Sequence, residues 1–377
     1  MSVRIGIPLV SPEFDRELRV LGAAARWGAA DPDVVADTAA RIDDANADAW
    51  LQEWTAAGGV AWAKARNESD PWPYLHAASY YGAALALIDG TDGSVQEGRL
   101  WARQRECWDR AVELLGGEQL LVPYERTTLP GYFFSGGSGS RPLLVIDHGS
   151  NVATSRAWVG GGAAAHAAGY HWMTFDGPGR QAALRRQGLV LRPDWEAILG
   201  PVAAAMRERA DVDVARMAVI GHEHAGYGVA RALTVERRFA SAAVAPGIVD
   251  VATPWLDALP VAARAALLDG DRDSFEREVH IAGLFAPESV ALLKRRSRSY
   301  GIPGTGLFDL IARIREFRIS DEAASAIATP MLVCADTADG HWPGQAEQLY
   351  ARLPCRRELA APQAGDEALL AWLDRTL

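Results

Sequence analysis

The sequence predicts an α/β fold: a doubly wound, mainly parallel sheet, with an N-terminal helical domain over residues 1–117 and a sheet domain over 118–377. Two observations carry it. From Phe14 to about Gly116 apolar residues recur at intervals of three and four, and after Gly117 short apolar runs alternate with helical stretches. Strand, helix, strand at that spacing gives a parallel sheet covered on both faces, because right-handed crossovers put helices on each side.

Taken in order, Leu18, Leu21, Ala24 and Ala25 mark a first helix, and Val34, Val35, Thr38 and Ile42 a second that opens on an Asp31-Pro32 cap. Asn67 to Pro73 breaks the chain before a helix from about Leu75 to Leu87. Seven of the thirteen tryptophans (27, 50, 54, 62, 72, 101 and 108) fall in this region. Aromatic packing between helices is the reading preferred over a pocket lining.

The predicted strands are Gln119–Val122, Tyr132–Phe134, Pro142–Ile146, Trp172–Phe175, Met217–Ile220, Ala240–Val244, Met331–Ala335 and Arg357–Ala360. Helices are expected over Ser155–Ala168, Trp195–Arg209 and Tyr227–Arg238. The first two runs are close enough for an antiparallel hairpin at one edge. Ser135–Gly139 opens no helix, so it is expected to be a hairpin loop and not a phosphate cradle. Residues 255–327 are too long for one crossover and are expected to form a helical insertion over the carboxyl ends of the strands.

Composition narrows the function. The chain has 377 residues, 49% hydrophobic, with a net charge of −10. That charge repels phosphate backbones and anionic lipid, so neither nucleic acid nor a membrane is the expected partner, and a small-molecule substrate is. No run approaches the roughly 20 apolar residues of a bilayer span, and residues 1–10 lack a signal pattern, so the expected location is the cytoplasm. Cys107, Cys334 and Cys355 form no C-x-x-C pair and read as packing residues. Lys64 and Lys294 are the only lysines, which leaves little scope for Schiff-base chemistry, and no cofactor is expected.

In an open parallel sheet ligands bind beyond the carboxyl ends of the strands. Four turns there stand out: Asp147-His148-Gly149-Ser150-Asn151, Asp176-Gly177-Pro178-Gly179, Gly221-His222-Glu223-His224-Ala225-Gly226, and the segment with Asp336, Asp339, His341 and Trp342. The third is strand, pinched turn, helix, the setting of a nucleophile elbow, but with glutamate at its centre. Together with Tyr124–Tyr132, Phe175–Gly179 and Trp342–Gln345, these turns resemble the α/β-hydrolase fold. The resemblance is to the branch with an N-terminal helical cap that includes 2,6-dihydroxypseudooxynicotine hydrolase and FrsA-like esterases.

That resemblance implies a chain order of nucleophile, acid, histidine. Here Glu223 replaces the serine, Asp339 is the expected acid with Asp336 as the other candidate, and no histidine follows His341. Serine-type ester hydrolysis is therefore not expected. Cap-bearing relatives of this kind also suggest a homodimer.

A carboxyl at the elbow is suited to moving a proton. The backbone N–H of His224 and one from Ser150 or Asn151 are the expected oxyanion donors, which suits proton abstraction next to a carbonyl. The expected activity is thus a lyase, cyclase or isomerase acting on a carbonyl-bearing small molecule of specialised metabolism, with Glu223 as general acid/base. Two alternatives stand beside it: a hydrolase in which Glu223 activates water or attacks directly, and an inactive ligand-binding protein.

His148 is either a ligand-facing donor or a loop holder. His222 is expected below the elbow and His224 toward the pocket mouth, while His341 is a candidate replacement for the missing base. A metal at His222, Glu223 and His224 is not expected, because adjacent residues on a turn point different ways.

Overall fold

The computed structural model describes residues 12–42, 46–66, 69–88, 94–149, 152–285, 297–301, 306–336, 340–361 and 365–377. The eight strands β1 (Glu118–Tyr124), β2 (Thr127–Phe134), β3 (Arg141–Asp147), β4 (His171–Phe175), β5 (Val212–His222), β6 (Ser241–Ala245), β7 (Met331–Cys334) and β8 (Arg357–Ala360) form one sheet in the order β1-β2-β4-β3-β5-β6-β7-β8. Every apolar run read as a strand is one.

Register follows burial. From β3 through β8 the pairs β3–β5, β5–β6, β6–β7 and β7–β8 are all parallel, and the central strands are apolar on both faces, with Leu143–Ile146 wholly buried. β2 pairs antiparallel with β4, Gly131 opposite Phe175. This corrects one expectation. Because β4 lies between β2 and β3, the segment Ser135–Gly139 is not a hairpin loop but the start of a connection that passes a strand by. Hydrophobic period fixes which residues are strand and carries no information on which strands are neighbours.

The chain divides into two compact units. The first comprises residues 1–120, 131–138 and 152–175. Five helices occupy its N-terminal part: α1 (Pro12–Arg26), α2 (Pro32–Ala40), α3 (Ala47–Ala65), α4 (Pro71–Ala86) and α5 (Ser94–Leu114). Asp31 caps α2 through its side chain, accepting from the backbone N–H of Asp33 and Val34, with Pro32 at the first helical position. Several of the tryptophans are core: Trp50, Trp54 and Trp108 are fully buried, while Trp72 is exposed, and Phe14, Trp50, Trp54 and Tyr80 form a chain of ring contacts with centroids 4.6–5.8 Å apart.

The second unit comprises residues 121–130, 139–151 and 176–377. After α6 (Ala163–Ala167) in the first unit, its helices include α7 (Gln181–Gln187), α8 (Glu196–Arg207) and α9 (Ala225–Ala232), the last directly following β5. Between β6 and β7 come α10 (Thr253–Asp257), α11 (Val261–Asp269), α12 (Arg272–Phe285), α13 (Leu307–Ile314) and α14 (Asp321–Ser325), as a helical insertion. No described helix is long and apolar enough to cross a membrane.

Candidate active site

The turn after β5 is as tight as its composition demands. Glu223 has φ of +53°, a left-handed conformation that a side chain with a Cβ adopts only where the surroundings impose it. The surroundings are explicit. The Glu223 N–H donates to the Ala245 carbonyl at 2.8 Å, and the Glu223 carbonyl accepts from Gly226 N–H at 2.8 Å, which starts α9. A Cβ at 221 would collide with the Ala225 carbonyl and one at 226 with the Pro246 carbonyl, so glycine is needed at both.

The Glu223 carboxyl lies over the turn that follows β3. A Cβ on Gly149 would run into Glu223 Oε2, so the missing side chain at 149 is what makes room for the carboxyl. Next to Gly149, His148 is buried. Its Nδ1 lies 3.3 Å from the Gly149 carbonyl and its Nε2 3.9 Å from Asp176 Oδ1. Asp176 in turn accepts from the Ala182 N–H at 3.1 Å.

A second group of polar side chains was not legible as a unit. Asp147, the last residue of β3, forms an ion pair with Arg180 and accepts from Trp195 Nε1 at 2.7 Å. The Arg180 guanidinium lies 4.4 Å from the centroid of the Trp195 ring. Neither Arg180 nor Asp147 is exposed at all. Burial lowers the Arg180 pKa to about 9 while the charge of Glu223 raises it, so the group is a cation at neutral pH. The available signal was Arg180 itself, one residue beyond the Asp176–Gly179 turn and therefore at the carboxyl end of β4.

His224 does not face a pocket mouth as expected. It is 6% exposed, with its ring 6.2 Å from Tyr227, 6.0 Å from Tyr300 and 5.8 Å from Phe317. Packing among three aromatic rings removes more apolar surface from water than an outward orientation would. Burial, with Arg180's charge second, holds its pKa down at about 3, so the imidazole is neutral at physiological pH. His222 is partly exposed and sits opposite Ala245 in the β5–β6 pair.

Beyond β7, Asp336 Oδ2 accepts from Trp342 N–H at 2.9 Å, and the His341 ring packs edge-on to Trp342 at 5.6 Å. The structure thus groups Glu223 with Gly149, and Asp147 with Arg180 and Trp195, while it places His341 with Trp342. Ser150, Asn151 and Asp339 lie outside the described residues. Among the described residues no group of three or more His, Cys, Asp or Glu side chains is arranged to hold a metal ion.

No protein-family model matches the chain. Its structure superimposes on the crystal structure of 2,6-dihydroxy-pseudo-oxynicotine hydrolase with a TM-score of 0.71 over 94% of this chain and 95% of that one, at 14% sequence identity. The chain has the α/β-hydrolase fold. Among curated proteins it is similar to Hydrolase LUC6 of a Fusarium species, 32% identical over 229 residues, 56% of this chain and 54% of that protein. It is also similar to Hydrolyase ccsE of Aspergillus clavatus, 30% identical over 266 residues, 63% of this chain and 61% of that protein. The chain spans between about half and three-fifths of the length of these relatives.

Proposed function

We propose that this chain is a non-hydrolytic enzyme of α/β-hydrolase fold, a lyase, cyclase or isomerase, in which Glu223 is the general acid/base. Its substrate is a carbonyl-bearing small molecule of specialised metabolism. The observation that carries the reading is the carboxyl at the elbow: Glu223 is held at φ +53° with Oε2 over Gly149, where a serine hydrolase fold presents its alcohol. A carboxylate fixed there takes a proton from carbon next to a carbonyl and returns it elsewhere, for a gain on the order of 10²–10⁴-fold. The backbone N–H of His224 at the start of α9 is a donor for the enolate oxygen that forms.

Acyl transfer finds no support in His224. His224 is neutral within an aromatic cluster, and His148 Nε2 lies 3.9 Å from Asp176 Oδ1. The loop between β8 and the helix at Gly365–Thr376, residues 361–364, reads Ala-Pro-Gln-Ala and carries no histidine. A relative named a hydrolyase agrees with elimination chemistry, and one named a hydrolase keeps water activation by Glu223 as the second reading.

Activated esters and a fluorophosphonate probe separate the two. The proposal expects no ester turnover, no label, and no esterase gained by Glu223→Ser. Glu223-dependent ester hydrolysis by the wild type would favour the second reading.

A further inference from the structure

Arg180 carries an unused receptor edge. One of its nitrogens, Nη1, faces Asp147 in an ion pair without hydrogen-bond geometry, the Trp195 ring covers the guanidinium at 4.4 Å, and Nε and Nη2 likewise have no hydrogen-bond partner among the described residues. Those two N–H groups are the side of the guanidinium that grips a carboxylate bidentately. Among the described residues the edge is filled in three other arginines. Arg192 holds Asp194 through Nε at 2.7 Å and Nη2 at 2.6 Å, Arg209 holds Asp211 at 3.0 Å through both, and Arg238 holds Glu236 at 2.9 and 2.5 Å. Those three arginines are partly exposed, so water would serve them if the carboxylate left. Arg180 is wholly buried, and a buried guanidinium with two idle nitrogens is costly unless a ligand completes it.

We propose that the Nε/Nη2 edge of Arg180 binds a carboxylate of the substrate, so that Glu223 works on a carbonyl compound anchored by its own acid group. The inference rests on the reading of Glu223 given above, and adds the substrate class to it. Carboxylate is favoured over phosphate because a single guanidinium already shared with Asp147 accommodates one further negative charge at less cost than the nearly two of a phosphate. Glu223 is the other charge that acts on Arg180, so the bound acid and the Glu223 carboxylate repel each other.

Calorimetric titration tests this with pyruvate and benzoate, their amides pyruvamide and benzamide, and inorganic phosphate. The expected result is saturable binding of an acid at least about tenfold tighter than its amide, weakened about tenfold in Arg180→Lys, which keeps the charge and loses the fork. Glu223→Gln should bind the acid at least as tightly as the wild type. Equal affinity for acid and amide, phosphate bound as well as the acids, an unweakened Arg180→Lys, or no saturable binding of either acid would overturn the proposal. If Arg180→Lys does not fold cooperatively, the acid–amide difference in the wild type decides. Acid binding that survives while Glu223 proves irrelevant to proton transfer would leave the receptor standing and remove the proposed chemistry; the reverse outcome would remove only the receptor.

Discussion

The Arg180 guanidinium and the Asp147 carboxylate form an ion pair in which neither side chain is exposed, and Trp195 donates to the second Asp147 oxygen at 2.7 Å. Removing one partner strands a charge in a low dielectric, which costs about 3–5 kcal/mol, whereas replacing both with apolar residues of similar volume costs far less. Asp147→Ala should therefore lower the urea unfolding free energy by several kcal/mol. The double variant Asp147→Leu with Arg180→Met should recover much of that loss. Equal stability of the two would mean that the pair is not acting as a buried pair.

Gly149 predicts a separation of activity from stability. A Cβ at 149 collides with Glu223 Oε2, the end of a side chain that can turn away, so Gly149→Ala should change stability by no more than about 1 kcal/mol. It should nonetheless reduce turnover by about 10²-fold, because the carboxyl is displaced by about an ångström from the reacting carbon. The check is kcat beside the urea midpoint. Wild-type turnover in a folded Gly149→Ala would contradict the placement of Glu223.

His224 predicts a pH dependence of stability. Its folded pKa, about 3, lies below the 6.5 of a free imidazole, because burial and then Arg180 disfavour the charged form. The unfolded chain takes up a proton below about 6.5 that the folded chain resists until about 3. The contribution is therefore fully present above pH 6.5 and is lost as pH falls through that window, by up to ~1.4 kcal/mol per pH unit. His224→Phe, which suits the aromatic surroundings, should flatten the decline of the urea midpoint between pH 7 and 5. An unchanged slope would show that His224 is not the group responsible.

The parts of the fold that repeat a local pattern were readable, and the parts set by long-range encounters were not. Leu143–Ile146 is an uninterrupted apolar run and became a buried central strand. The helix after the elbow was expected to reach Arg238 but stops at Ala232, because side chains there compete for its carbonyls: Thr234 Oγ1 donates to Arg231 O at 2.8 Å, and Arg237 donates to the carbonyls of Leu233 and Thr234. Glycine and glutamate at the elbow could be read directly, since a pinched turn dictates its residue types. Arg180 looked like any surface arginine until the fold brought it to Asp147, and His224 looked like a site residue until Tyr300 and Phe317, from the insertion and its exit, closed around it.

The most direct measurement of the central claim is solvent-deuterium exchange, followed by NMR, at carbon next to the carbonyl in a panel of keto acids incubated with the protein. The account predicts that the wild type accelerates exchange for at least one member and that Glu223→Gln, folded and still able to bind it, abolishes the acceleration. Exchange that proceeds undiminished in Glu223→Gln would show that the carboxyl at the elbow does not carry the proton.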